Sequence, residues 1–289
     1  MSHFIYHDLG RIEYEKALER QTVAFNALLE AKAQGRTGEN RLFFCEHQPV
    51  LTIGKSGKDT NLLIPEEQLV QRGISFYHIN RGGDITYHGP GQITGYPVFD
   101  LDTWKLGLKQ YIDRLEETII RFLAIYGIKG ERLAGATGVW IDPGVPRKAR
   151  KLCAIGVKSS RFVTMHGFAL NINTDLDYFS LINPCGFKDK GVTSLEKEMG
   201  MEQDFEEAKA RLHSLFTEMF PEWWNRMLFI LPHCRVIPTR FIGKHMHKYS
   251  EVSKPITLRL SVSKRLAFAI RSCGILYRKQ IHPPHLFPR

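Results

Sequence analysis

Helical and strand-like hydrophobic patterns alternate along the chain up to Pro221, and this alternation constrains the fold more than any other feature. Apolar residues recur at helical spacing over 13–33, 108–126 and 205–219. Short strand-like runs lie between these helices, at 42–45, 50–53, 74–79, 96–101, 139–141, 152–157 and 168–172. The alternation predicts an α/β (or α+β) fold, with a mixed sheet flanked by helices.

Several classes of protein are disfavoured by composition. The chain contains no apolar run of about 18 residues, so no membrane span is predicted. Its first ten residues lack the apolar stretch of a signal peptide. No CxxC pair occurs, which argues against a disulfide framework or a zinc site; the five cysteines are scattered at 45, 153, 185, 234 and 273. Together these features predict a cytoplasmic protein without a bound metal.

The net charge of +10 is concentrated at the carboxyl end. Residues 226–289 hold 13 Lys and Arg against one acid, Glu251, whereas the 225 residues before them hold 27 against 29. The sequence therefore predicts a domain over 1–224 and a basic extension over 225–289. The extension could bind an anionic partner, could be poorly ordered, or could be non-native coding, and we favour the last two.

A glycine-rich segment, RGGDITYHGPGQ, spans residues 81–92. Four glycines and a proline allow its backbone to approach a ligand closely, and its N–H groups could bind a carbonyl oxygen or an anion. The segment is neither a GxGxxG fingerprint nor a Walker motif, so a nucleotide-phosphate cradle is poorly supported. An ordinary structural turn is the alternative.

The strand-like segment KLCAIGVK begins with Lys151. Partial burial would favour the neutral amine of this lysine, which could then act as a base; a solvated lysine at a strand end is the alternative. Regular alternation would place one set of side chains on a single face: Lys151, Cys153, Ile155 and Val157. Three neighbouring cations compete for the role of base: Arg147, Lys148 and Arg150.

Two further segments complete the candidate site. In HGFALN, over 166–171, Gly167 and Ala169 could let an apolar chain or a thioester carbonyl lie against a strand; close strand packing is the alternative. Cys185 lies between Pro184 and Gly186, which indicates a tight, exposed turn rather than a core, whereas Cys45 and Cys153 lie in apolar runs. A thiol with a lysine and Gly-rich segments suggests acyl transfer through a thioester.

The motifs, taken in order, resemble those of the lipoyl(octanoyl) transferase family, the octanoyl-[acyl-carrier-protein]:protein N-octanoyltransferases. The resemblance covers residues 9–220 and rests on EHQPVLTIG (46–54), RGGDITYHGPGQ, KLCAIG, HGFALN, and PCG followed by VTS (192–194). It implies a catalytic domain over 1–224 that resembles the catalytic domain of biotin and lipoate protein ligases.

The resemblance also implies roles for individual residues. It makes Cys185 the nucleophile and Lys151 the catalytic lysine. It places substrate-binding roles on Arg81, Gly82, Gly83, Asp84, Ile85, Thr86, Tyr87, His88, Ala154, Ile155, Gly156, Gly167, Phe168 and Ala169. No cofactor is implied, because a thioester donor already stores the activation energy and ATP is unnecessary.

The implied donor is octanoyl–acyl carrier protein. The implied acceptor is a lysine on lipoyl domains of 2-oxoacid dehydrogenases or on the glycine-cleavage H protein, as the first step of protein lipoylation. We expect a monomer with no nucleic-acid or membrane partner. Three alternatives remain: an ATP-dependent lipoate or biotin ligase of the same fold, a cysteine hydrolase, and a nucleic-acid binder that uses the basic extension.

Overall fold

The computed structural model describes residues 4–183 and 190–221. Within these stretches the strands are β1 (Ile5–Ile12), β2 (Arg41–His47), β3 (Val50–Ile53), β4 (Ser75–His78), β5 (Thr86–His88), β6 (Gln92–Val98), β7 (Glu131–Leu133), β8 (Ala136–Ile141), β9 (Arg150–Ser160), β10 (Val163–Asn171) and β11 (Gly191–Val192). The α-helices are α1 (Tyr14–Ala33), α2 (Glu66–Gln71), α3 (Leu108–Ile125), α4 (Leu195–Met199) and α5 (Phe205–Met219). The predicted boundary at residue 224 lies outside the described residues and stays a prediction.

The main sheet is mixed. Its strand order is β1-β2-β6-β10-β9-β8-β7, and β11 pairs with β9 outside this path. The pairs β1–β2 and β9–β11 are parallel, whereas the other neighbouring strands are antiparallel. The predicted α/β class with a mixed sheet is confirmed.

Helices cover both faces of the main sheet, because its central strands carry apolar residues on each face. Phe43 packs in a core with Phe25 and Leu28 of α1, whereas the adjacent Phe44 packs in a second core with Phe122 of α3 and Phe216 of α5. Successive strand residues thus supply opposite cores.

A smaller sheet holds the glycine-rich segment. It has the order β4-β3-β5 and packs its own apolar core with the 3-10 helix Leu176–Leu181. Backbone bonds tie the segment to its surroundings: Lys55 donates to the Arg81 carbonyl at 3.0 Å, and Gly82 donates to the Val157 carbonyl of β9 at 2.9 Å. The smaller sheet therefore presents residues 81–84 against the main sheet.

Most predicted elements are present, and the differences have local causes. Helix α5 begins as predicted after Asp204, whose carboxylate accepts from the Glu207 N–H at 2.9 Å. The segment 81–92, predicted as loop, contains β5 because 86–88 pair with β3. The run at 96–101 begins earlier, as β6 at Gln92, and ends at Val98. Strand β1 was not predicted, since it is a partly exposed edge strand without clear alternation.

None of the helices in the described stretches is both long and apolar enough to cross a membrane.

One row of paired residues shows how a glycine accommodates an aromatic ring in the core. Phe44, Gly95, Phe168 and Ile155 are register partners across β2, β6, β10 and β9. A Cβ built on Gly95 would overlap the Phe168 ring, which lies over the glycine and stacks on Phe216 at 5.5 Å. Gly95 therefore provides the space for the Phe168 ring.

We predict that Gly95→Ala displaces this ring and lowers the free energy of unfolding by roughly 1–3 kcal/mol, as overpacked cores do. Gly144→Ala is the matched control, because nothing lies within 4 Å of a Cβ at that position. Guanidinium denaturation of the three proteins measures the effect. Equal midpoints for Gly95→Ala and Gly144→Ala would contradict the packing argument.

Candidate active site

A cavity of about 420 Å³ lies where the glycine-rich segment meets strands β6, β8, β9 and β10. It is lined by nearly all of the predicted site residues that lie within the described stretches: Lys151, Arg81, Gly82, Gly83, Asp84, Ile85, Thr86, His88, Ala154, Ile155, Gly156, Gly167, Phe168 and Ala169. Segments separated by up to about 90 residues in the sequence therefore meet at one place.

Tyr87 is the exception. Its side chain is fully buried in the core of the smaller sheet and stacks on Tyr178, with the ring centroids 4.6 Å apart. It is absent from the residues that line the cavity. Period-2 alternation explains this, because Thr86 and His88 lie on the opposite face of β5 and do line the cavity.

Small residues occupy the strands beside the cavity. Thr94, Ala169 and Ala154 are partners in register across β6, β10 and β9. Two residues further along β10 and β9, Gly167 pairs with Gly156 on the same face. Partners in register lie on one face of a sheet. Their small side chains leave room that larger residues would fill.

The strand bearing Lys151 is irregular, and this changes the predicted face. On β8, Val139 pairs with Cys153 but Trp140 pairs with Lys151, so Leu152 is an extra residue. Leu152 and Cys153 are both fully buried in the same core. The expectation that Lys151 shares a face with Cys153, Ile155 and Val157 is therefore wrong; the β-bulge turns Lys151 away from the core.

Lys151 is partly buried, and its Nζ lies 4.6 Å from the centroid of the Trp140 ring. A ring face in this position stabilises a cation by the attraction of its quadrupole.

The thiols of Cys45 and Cys153 are buried, as predicted, and burial raises the pKa of both, so neither forms a thiolate readily.

The cations that compete with Lys151 are placed elsewhere. Arg150 is paired with Glu198 and Asp142, and its hydrogen bond to Glu198 raises the pKa of the guanidinium further, so it cannot act as a base. Arg147 and Lys148 are exposed in the loop before β9 and do not line the cavity. Lys151 is the lysine of this cluster that reaches the cavity.

Cys185 lies outside the described residues, which stop at Asn183 and resume at Lys190. Lys190, Gly191 and Val192 all line the cavity, and Val192 is the register partner of Lys151. The chain therefore re-enters the described structure beside Lys151, a few residues after Cys185.

Arg81 closes the cavity above Gly156. The residue is buried, only 7% exposed, and its Nη2 donates to the carbonyl and the hydroxyl of Thr52, at 2.8 and 2.9 Å. A Cβ built on Gly156 would lie 2.7 Å from the Gly82 carbonyl oxygen and 3.2 Å from Cδ of Arg81. Gly156 thus allows the glycine-rich segment to lie directly on β9.

Two buried histidines, His88 and His166, line the cavity, and a third, His47, lies beside His88 with the ring centroids 6.0 Å apart. Burial lowers the pKa of His47 to about 4 and that of His88 and His166 to about 3, so all three are neutral at pH 7. His47 donates from Nδ1 to the Ile12 carbonyl at 2.9 Å, which leaves Nε2 to accept from the Tyr96 hydroxyl at 2.7 Å. The rings of His47 and His88 therefore act as fixed hydrogen-bonding groups rather than as charges.

Several cavity residues were not predicted: Gln92, Thr94, Tyr96, Trp140, His166 and Asn171. Gln92 and Asn171 end two of the motifs quoted from the sequence, which was the available signal. His166 has a positive φ of 58° within a strand, a strained conformation that sequence patterns do not reveal. Among the described residues, no group of three or more His, Cys, Asp or Glu is arranged to hold a metal ion.

Comparisons with known proteins identify the family of the chain. The family model described as the lipoyl protein ligase A/B catalytic domain matches residues 13–217. A Parabacteroides distasonis protein named octanoyltransferase is 76% identical over 220 residues, covering 76% of this chain and 100% of that relative. A Bacteroides fragilis protein of the same name is 57% identical, covering 71% of this chain and 92% of the relative.

Among solved structures, a bipartite lipoate protein ligase from Thermoplasma acidophilum superposes with a TM-score of 0.54. Its sequence is 17% identical, and the match covers 75% of this chain and 84% of that chain, so it shows the fold alone. The chain therefore belongs to the lipoyl protein ligase A/B catalytic domain family and, within it, to the octanoyltransferases, which are acyltransferases.

Proposed function

We propose that this enzyme transfers an octanoyl group from octanoyl–acyl carrier protein to a lysine of lipoyl domains or of the glycine-cleavage H protein, through a thioester on Cys185. The observation that carries the proposal is the meeting of Lys151, the glycine-rich segment and the small residues of β9 and β10 in one cavity. The relatives named octanoyltransferase support the acyl group.

In the first half-reaction, the neutral amine of Lys151 takes the proton from the Cys185 thiol. The thiolate attacks the carbonyl carbon of the donor thioester, the carrier's sulfur leaves, and it takes up the proton from the Lys151 ammonium. The Trp140 ring, 4.6 Å from Nζ, stabilises the ammonium while it exists. The product is octanoyl-Cys185, and no net charge is created.

The tetrahedral intermediate carries a negative oxygen that needs hydrogen-bond donors. Backbone N–H groups of the Gly-rich segments supply them in this proposal; loss of a single oxyanion donor from a serine protease costs about 3–4 kcal/mol. The absence of side chains at Gly82 and Gly83 allows the backbone to come close to the substrate carbonyl. Both glycines line the cavity.

The octanoyl chain requires an apolar slot. Three backbone bonds extend about 3.5 Å, so the seven carbon–carbon bonds of an extended octanoyl chain span about 8 Å. A strand advances about 3.3 Å per residue, so the chain covers between two and three residues of β9. That length reaches from the neighbourhood of Lys151 to Ala154, two residues short of Gly156, where the glycine-rich segment lies on the strand.

In the second half-reaction, the acceptor lysine must be neutral to attack the octanoyl-Cys185 carbonyl. Lys151 serves as base again, removing a proton from the attacking amine, and the Cys185 thiolate leaves and is reprotonated by Lys151. An amide forms and the enzyme regains its thiol. The matching family, described as lipoyl protein ligase, supports a protein that becomes lipoylated as the acceptor.

We predict that Cys185→Ala abolishes the octanoyl adduct, because no other thiol of the described core can ionise readily. Intact-protein mass spectrometry after mixing with octanoyl–acyl carrier protein, without ATP, measures the adduct and its lability to hydroxylamine. Cys153→Ala is the control and retains the adduct, because that thiol is buried in the core. A hydroxylamine-labile adduct on Cys185→Ala, or an adduct that requires ATP, would refute the proposed route.

We predict that Lys151→Arg slows formation of octanoyl-Cys185 by roughly 10²- to 10⁴-fold, since the guanidinium keeps the charge but cannot accept a proton. Rapid-quench mass spectrometry at saturating donor measures the rate. Lys148→Arg, in the exposed loop before β9, is the matched control and retains the parent rate. Full activity of Lys151→Arg would remove this lysine from the mechanism.

A further inference from the structure

A continuous chain of buried hydrogen bonds crosses the site, from the glycine-rich segment to the strand that pairs with Lys151. Arg81 Nη2 donates to Thr52 Oγ1 at 2.9 Å, and Thr52 Oγ1 lies 3.4 Å from His88 Nε2. His88 Nδ1 lies 2.9 Å from Gln92 Oε1. Gln92 Nε2 donates to Asn171 Oδ1 at 2.9 Å. Three motifs that are far apart in the sequence are joined in this way.

This series of hydrogen bonds ends at the backbone of Lys151. Asn171 Nδ2 donates to the Thr193 carbonyl at 2.9 Å, and the Thr193 N–H donates to the Lys151 carbonyl at 3.0 Å. Thr193 directly follows β11, whose Val192 is the register partner of Lys151. Asn171 is therefore the side chain that connects the buried network to the strand beside the proposed base.

The donor and the acceptor of every bond between side chains in this network follow from the bond between Asn171 and the Thr193 carbonyl. A backbone carbonyl can only accept, so Asn171 must present its NH₂ group to Thr193 and its oxygen to Gln92. Gln92 then donates with its own NH₂ and presents its oxygen to His88, which must carry its proton on Nδ1. His88 Nε2 is left to accept from the Thr52 hydroxyl, and Thr52 accepts from Arg81. The sequence of donors and acceptors is consistent along its whole length.

A second hydrogen bond, from the Thr193 hydroxyl, also holds Thr193 in place. The Thr193 hydroxyl donates to Glu198 Oε1 at 2.6 Å, and Glu198 pairs with Arg150, the residue before Lys151. Thr193 is thus fixed through its hydroxyl by an ion pair and through its carbonyl by Asn171. Only the Asn171 anchor faces the cavity, because Asn171 lines it and Glu198 does not.

We propose that Asn171 is a positioning residue for the proposed transfer reaction: by holding the Thr193 carbonyl, it fixes β11 against Lys151 and so sets the place of the lysine amine. This inference rests on the proposed function. Asn171 does not touch the reacting atoms in this role; it acts through the backbone of β11 and β9.

Asn171→Asp tests the proposal with the smallest change of shape. A carboxylate can still accept from Gln92, but it cannot donate to the Thr193 carbonyl, and it repels that oxygen. Asn173→Asp is the matched control: Asn173 lies two residues after Asn171, the last residue of β10, but its amide bonds to the backbone of Gln203, away from the cavity. Lys151→Met is included as the reference for a lost base.

The measurement is the single-turnover rate of octanoyl-Cys185 formation, as a function of donor concentration and of pH. Asn171→Asp is expected to lower the limiting rate roughly 10- to 100-fold, the scale of a misplaced catalytic group, without changing the half-saturating donor concentration. The loss of rate relative to the parent enzyme becomes smaller as the pH rises towards about 8.5, the ordinary pKa of a cysteine thiol, since the thiol then ionises without help. Lys151→Met shows the same narrowing, and Asn173→Asp matches the parent enzyme.

Other outcomes separate the two proposals. If Lys151→Met shows the deficit and Asn171→Asp has the parent rate, or only a raised half-saturating concentration, or a deficit that is the same at every pH, Asn171 is not a positioning residue. If Lys151→Met itself keeps the parent rate, the proposed mechanism is wrong and this inference falls with it. Should Asn171→Asp fail to fold by circular dichroism, Gln92→Glu replaces it under the same criteria, because it removes the donor to Asn171.

Discussion

The backbone pairing of β9 is the interaction on which the rest of the structure depends. Along one edge this strand pairs with β10 over Cys153–Ser160 and then with β11 at Arg150 and Lys151. Along the other edge it pairs with β8 over Arg150–Ala154. Beyond this pairing, the Val157 carbonyl accepts from the N–H of Gly82. The glycine-rich segment, HGFALN and the start of VTS are therefore all attached to β9, and the hydrogen bonds that satisfy its backbone also assemble the cavity.

Several of the residues that line the cavity are buried polar groups. A buried guanidinium or imidazole is costly unless its hydrogen bonds are satisfied. Arg81 meets this requirement through the carbonyl and hydroxyl of Thr52, and His88 and Gln92 meet it through each other. Because each member depends on its neighbour, the network fixes side-chain positions that a purely apolar lining would leave to packing alone.

Glycine has two separate functions around the site. Gly156 allows a loop to lie on a strand, and Gly95 allows the Phe168 ring to lie within the core. The first shapes the cavity and the second shapes the layer beneath it. Sequence reasoning assigned Gly156 and Phe168 to a single substrate-binding set, whereas the structure also places Phe168 in the aromatic cluster with Phe44 and Phe216.

The sequence by itself determined the class of fold, most helices and strands, and most of the segments that line the cavity, because hydrophobic period and glycine-rich motifs are local signals. It failed where distant residues decide. Regular alternation placed Lys151 on the core face, but the bulge at Leu152 depends on pairing with β8. Tyr87 belongs to a motif that surrounds the cavity, yet the pleat of β5 turns it into another core. Only the tertiary structure joined Gln92, Asn171 and Thr193, since a hydrogen-bonded network is made by side chains that no local pattern relates.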